Sequence, residues 1–187
     1  MKIMLKDVRL AFPSLWVARS MASGEGEPKF SASFLMAPDH PAIAEIRTAI
    51  LAVANEKWGA KANDMLKSLN AGGKICLHDG DAKSEYAGFP GNKYVQASNK
   101  IKPTVLDSNK SPLDQSSGRP YAGCYVNAQI DVWAQDNSWG KRINASLMGV
   151  QFWREGEPFA GGGVASASDF DAAPPSTSGA KTDDMPF

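Results

Sequence analysis

The sequence is poor in the residues that perform covalent and metal chemistry. Of 187 residues, two are Cys and two are His. Cys76 and Cys124 lie far apart and form no Cys-x-x-Cys unit, and His40 and His78 add no ligand pair, so zinc spacing is absent. The thiols are expected reduced and partly buried, and a Ser/His or Cys/His nucleophile has no supporting motif. No phosphate loop is present, because Gly161, Gly162 and Gly163 do not lead into Lys-Ser or Lys-Thr. No run of about 18 apolar residues offers a membrane span, and Lys2, Lys6 and Arg9 break the early apolar stretch where a signal peptide would lie. The expectation is a soluble cytoplasmic protein with no catalytic residue, no metal and no cofactor. Internal repeats are absent, and so is any basic recognition helix that would read base edges.

Net charge is also missing: 20 basic residues balance 20 acidic ones. The balance is uneven along the chain. Beyond residue 160, Asp169, Asp171, Asp183 and Asp184 face only Lys181, leaving the preceding body basic by the same margin. That stretch is built from Gly, Ala, Ser, Thr, Pro and Asp, which bury too little apolar surface to offset the entropy of ordering. Two regions follow: a folded domain over 1–159 and a flexible acidic tail over 160–187, ending in Asp183, Asp184, Met185, Pro186 and Phe187. An acidic arm on a basic body suits a protein whose body meets a polyanion.

Within the body, strand patterns dominate. Lys2 to Leu10 is rich in Ile, Leu and Val, and Lys29 to Met36 alternates Phe30, Ala32, Phe34 and Met36 against Lys29, Ser31, Ser33 and Leu35, a half-buried strand. Ser20 to Pro28 reads as a mobile hairpin loop. After Pro41, apolar residues at Ile43, Ile46, Ile50 and Val53 mark one stripe of a helix running to about Lys57. A second helix over Ala60 to Leu69 stops at Gly72 and Gly73. Residues 78 to 92 look irregular, strands resume at Lys93 to Ser98 and Lys102 to Leu106, and Asp107 to Pro120 is a polar connection. The clearest alternation runs from Cys124 to Trp133, with a partner strand from Arg142 and a bulge at Gly149. The fold class is mainly β with a helical insertion.

The face opposite the apolar one collects like side chains on three strands: Tyr94, Gln96, Ser98 and Lys100; Tyr125, Asn127, Gln129 and Trp133; Arg142, Asn144 and Ser146. Single-stranded nucleic acid needs aromatic planes for its bases and cations along its phosphates. Candidate contacts are therefore Tyr94, Lys100, Lys102, Tyr125, Asn127, Gln129, Trp133, Trp139, Lys141 and Arg142. Outer-face aromatics also pack under loops or against a second chain, so a protein-binding adaptor stands as an alternative. Asp79 and Asp81 with His78 and Glu85 suggest a metal-dependent nuclease, although turn chemistry accounts for the same letters.

The stretch Tyr121 to Trp133, with Gly149, Val150, Gln151 and Phe152, resembles a family of bacteriophage and prophage single-stranded DNA-binding proteins. Further matching stretches are Phe30 to Leu35, Glu56 to Gly59, Asp79 to Asp81 and Ala97 to Pro103. The resemblance implies an oligonucleotide-binding (OB) Greek-key barrel with a helical insertion, a sequence-tolerant groove for single-stranded DNA, and no catalysis. The last five residues resemble the acidic tip of bacterial single-strand binders, with Met185 where Ile is common. That likeness implies recruitment of replication, recombination and repair proteins through Asp183 to Phe187. A homodimer is compatible with this reading, and a phage-encoded chain would work in the host cytoplasm.

Overall fold

The computed structural model describes residues 1–20, 24 and 26–159. Seven strands form one sheet: β1 (Lys2–Arg19), β2 (Lys29–Met36), β3 (Leu77–Asp79), β4 (Lys93–Asn99), β5 (Thr104–Leu106), β6 (Tyr125–Asn137) and β7 (Gly140–Arg154). Their order is β3-β4-β2-β1-β6-β7-β5. Between β2 and β3 lie helices α1 (Pro41–Trp58) and α2 (Ala62–Ala71). The expected tail, including Asp183, Asp184, Met185, Pro186 and Phe187, and Met21, Ala22, Ser23 and Glu25 of the expected loop lie outside the described residues.

β1 is longer than its apolar stretch suggests, reaching Arg19 instead of stopping near Leu10. A straight strand of that length would span about 60 Å. It bends instead, with φ of 53° at Asp7 and 47° at Phe12. Pairing slips at both places, against β6 between Leu5 and Val8 and against β2 between Ala11 and Ser14. Bulges of this kind re-aim side chains and increase local twist, so one strand turns the corner of a barrel. The first bulge is held by side chains: the Asp7 amide donates to Asn127 Oδ1 at 3.0 Å, and Arg154 Nε donates to the Asp7 carboxylate at 2.7 Å.

The sheet closes on itself where the β4 side meets β7. Asn99 Nδ2 donates to the Leu147 carbonyl at 3.1 Å, and the Ile143 amide donates to the Lys74 carbonyl at 2.9 Å. Leu5, Val8, Phe34, Val95, Val126, Ile130 and Leu147 fill the interior, each with no more than trace exposure. α1 caps it with the expected stripe: Ile43, Ile46, Ile50 and Val53 are buried, each worth about 1.5–3 kcal/mol in transfer from water. His40 begins the helix, its Nδ1 accepting from the Ala42 amide at 3.2 Å, and Pro41 occupies the first helical position. The bulge expected at Gly149 falls one residue earlier, at Met148, since Gln129 pairs with Gly149 and Ile130 with Leu147.

β2 departs from the half-buried pattern. From Ala32 to Met36 every residue is buried, because the segment after β3 folds over the outer face. Gly80 makes the fold-over possible: a Cβ there would lie 2.0 Å from the Phe89 carbonyl oxygen. Phe89 is thereby pressed onto Ala11, Leu35 and Tyr94, a second small core outside the barrel.

Candidate nucleic-acid interface

Where β4 and β7 close the barrel, their outer faces and the segment entering β3 enclose a groove of about 620 Å³. Four cations line it, namely Lys29, Lys74, Lys100 and Arg142, and among the described residues no Asp or Glu does. One wall is the β6–β7 hairpin with Trp133, Gln135, Arg142, Asn144 and Ser146; the other is β4 and the segment around β3, with Gln96, Ser98, Asn99, Cys76 and His78. Cross-strand pairing sets the first wall, placing Trp133 opposite Asn144 and Gln135 opposite Arg142. Burial pushes the Cys76 thiol up to about 12, so it adds no negative charge at neutral pH. Burial, then the nearby Lys83 charge, lowers the His78 pKa below its ordinary range, leaving a neutral imidazole there.

Trp133 is 41% exposed, and its indole Nε1 donates to Ser146 Oγ at 3.0 Å. That bond fixes the ring against β7 while part of its surface meets solvent. The neighbouring amides are similarly ordered: Asn144 Nδ2 donates to Gln135 Oε1 at 2.9 Å, and Gln135 Nε2 donates to Asn137 Oδ1 at 3.1 Å. Lys100 is bonded to Glu27, whose carboxyl that contact holds below its usual range. The result is a preorganised cationic trough with an aromatic plane, suited to stacking bases over a tracked backbone.

Of the residues picked from sequence, Lys100, Trp133 and Arg142 share this groove. The others sit elsewhere. Tyr94 is 4% exposed beneath Phe89, with its ring 5.0 Å from that of His78, so it offers no open face. Tyr125 and Asn127 lie at the opposite end of β6. There Arg154 covers the Tyr125 ring at 3.5 Å, and both polar ends of Asn127 are used, by the Asp7 amide and by Gln151. Gln129 is exposed near the bulge, and Lys102 lies 5.3 Å over the Trp16 ring. Trp139, 86% exposed, and Lys141, paired with Asp136 at 3.6 Å, occupy the hairpin tip. The tip is tied back to α1, where Trp58 Nε1 donates to Asp136 Oδ2 at 2.8 Å.

Lys29, Lys74, His78, Asn99 and Gln135 were not among the residues picked. Lys29 shares the outward phase of Ser31 and Ser33, a signal present in the sequence; Lys74 arrives only through barrel closure. Asp79 and Asp81 spend their carboxylates on local structure: Asp79 takes Lys93 at 2.5 Å and the Asp81 amide at 3.0 Å, and Asp81 takes the Gly91 amide at 2.7 Å. The Lys93 contact, then the Asp81 amide, lowers the Asp79 pKa. Turn chemistry thus accounts for these acids.

Comparison with known proteins identifies the family and the fold. The family model of the Enterobacter phage Enc34 single-stranded DNA-binding protein matches residues 1–185. Protein p50 of Acyrthosiphon pisum secondary endosymbiont phage 1 is 48% identical over 174 residues, covering 91% of this chain and 93% of the relative. The single-stranded DNA-binding protein from bacteriophage Enc34, solved in complex with ssDNA, superposes with a TM-score of 0.70 at 28% identity, covering 85% of this chain and 89% of that one. The bacteriophage T7 single-stranded DNA-binding protein gp2.5 shares the fold at 12% identity, with a TM-score of 0.55 over 92% of this chain and all of that one. The mainly β, OB-like barrel with helical insertion is therefore shared with these two phage proteins, and the chain belongs to the family of the Enterobacter phage Enc34 single-stranded DNA-binding protein.

Proposed function

We propose that the chain binds single-stranded DNA in the groove between the β6–β7 hairpin and β4, without strong sequence preference. The observation that carries the reading is the pairing of four lining cations with an exposed, hydrogen-bonded Trp133 in a trough that no described carboxylate lines. Phosphates meet Lys29, Lys74 and Arg142, with Lys100 joining them where Glu27 releases it, a base stacks on Trp133, and the side-chain amide of Gln96 accommodates any base edge. The work is binding, with no bond made or broken. Titration of an unstructured oligonucleotide should quench tryptophan fluorescence, and the quench should weaken steeply with added salt. Absence of quenching and of any mobility shift at low salt would refute the reading.

The proposal extends to setting and partners. The protein coats strands exposed during replication, recombination and repair in a phage-infected cell, and Asp183, Asp184, Met185, Pro186 and Phe187 recruit proteins that act there. The supporting argument is chemical: two carboxylates, a short apolar step and a terminal ring make a compact docking element on a basic-patch partner. A homodimer would lengthen the coated stretch per binding event.

A further inference from the structure

The groove does not end at Gln96. That side chain also lines a second depression of about 480 Å³, floored by Ser31, Ala32 and Ser33 of β2 and flanked by Phe12, Lys83, Glu85 and Tyr86. The floor is continuous, since Ser31 pairs with Ser98 and Ser33 with Gln96 across β2 and β4. Two aromatic rings stand over it, Phe12 at 49% and Tyr86 at 44% exposure, with centroids 5.0 Å apart in an edge-to-face pair. Phe89 backs Phe12 at 5.6 Å.

Phe12 is turned outward by its backbone. Its φ of 47° lies in the left-handed region that a bulky residue rarely enters, at the place where β1 slips register against β2. A Phe held outward at a bulge, beside a second exposed ring and at the end of a cationic trough, has the features of a stacking platform. Lys83 and Glu85 balance each other, so contact here would come from ring surface and not from phosphate neutralisation.

We propose that this depression is a second base-stacking station, at which single-stranded nucleic acid continuing from Trp133 past Gln96 lays further bases on Phe12 and Tyr86. The inference rests on the nucleic-acid reading of the first groove and adds the direction in which the strand leaves it. The shared Gln96 and the β2–β4 pairing that joins the two floors argue for the same occupant in both depressions; a protein partner or a second copy of the chain is the competing occupant.

The test is fluorescence anisotropy with labelled oligo-dT of about 4 to about 16 nucleotides, the range of site sizes for one such barrel. The proteins are the full chain, Phe12→Gly, Tyr86→Ala and Trp133→Ala. Phe12→Gly removes the ring while relaxing the backbone, and thermal melting confirms that each variant folds. The expected result is a loss of about five- to a hundredfold on the longer oligonucleotides for Phe12→Gly and Tyr86→Ala, none on the shortest, and an unchanged salt slope. Equal affinity at every length, with Trp133→Ala still weakened, would overturn the second station and leave the first groove standing. A loss at every length, or one accompanied by a change in sedimentation, would overturn it in favour of a protein-contact or structural face. No binding by the parent chain at any length would overturn both readings.

Discussion

Removal of groove cations gives a quantitative test of the phosphate path. Lys29, Lys74, Lys100 and Arg142 line the groove, but Lys100 is already bonded to Glu27, so three cations count toward counterion release. For single strands the slope of log K against log salt is about −0.7 per neutralised phosphate, giving about −2.1 here. Raising salt from about 50 to about 200 mM should then weaken binding about 20-fold. In the double variant Lys74→Ala with Arg142→Ala one cation remains, the slope falls to about −0.7, and the same change costs about threefold. Glu27→Gln should act in the opposite sense, releasing Lys100, steepening the slope to about −2.8 and tightening binding at low salt. Anisotropy titrations across a salt series measure all three slopes. Identical slopes in parent and double variant would refute a backbone path through this groove, and weaker binding by Glu27→Gln would refute the role given to Lys100.

Other outcomes follow from single contacts. Trp133→Ala should cost about 1–3 kcal/mol of oligonucleotide affinity, and Trp133→Phe should restore part of it, as measured by anisotropy. The folded-state pKa of His78 is lowered from 6.5 by burial and then by Lys83, so the unfolded chain takes up a proton first as pH falls. Stability is therefore fully present above about pH 6.5 and declines as pH falls toward the lowered value; in His78→Gln the melting temperature should fall less between about pH 7 and about pH 5. Gly123 has φ of 107°, and an added Cβ would lie 2.2 Å from the Glu157 carbonyl oxygen, so Gly123→Ala should lower stability in urea unfolding by about 1–3 kcal/mol. Deleting residues 183–187 should leave oligonucleotide affinity equal or slightly higher while abolishing capture of a partner protein; loss of DNA binding would contradict the role given to the tip.

What could be read in advance depended on how local the signal was. The Cys124 to Trp133 alternation declares its own faces, so β6, its partner β7 and the outward placing of Trp133 and Arg142 were legible. The Ile43, Ile46, Ile50 and Val53 stripe likewise fixed α1. Tyr94 shows where this logic stops: its phase is outward, but a loop pinned by Gly80 brings Phe89 over it. Tyr125 and Asn127 share a face with Trp133 yet serve the Asp7 bulge and the Arg154 stack, because β6 is long enough to take part in two neighbourhoods. Lys74 and His78 join the groove through pairings that connect distant parts of the chain, and no local period announces them. The positive φ at Phe12 was hidden for a related reason, as an apolar residue in an apolar run reads as core.

The groove is cut along the seam of the barrel. Its two walls belong to strands that the sheet order places far apart, and the described bonds that draw them together include Asn99 to Leu147 and Ile143 to Lys74. The width of the trough is thus set by how tightly the barrel is shut. On the proposed reading, a strand of nucleic acid laid across it would work as a cross-tie, adding its own bonds to both staves. Filling the groove and shutting the barrel would then be a single equilibrium, and the protein would hold its shape more firmly with a strand bound than without one.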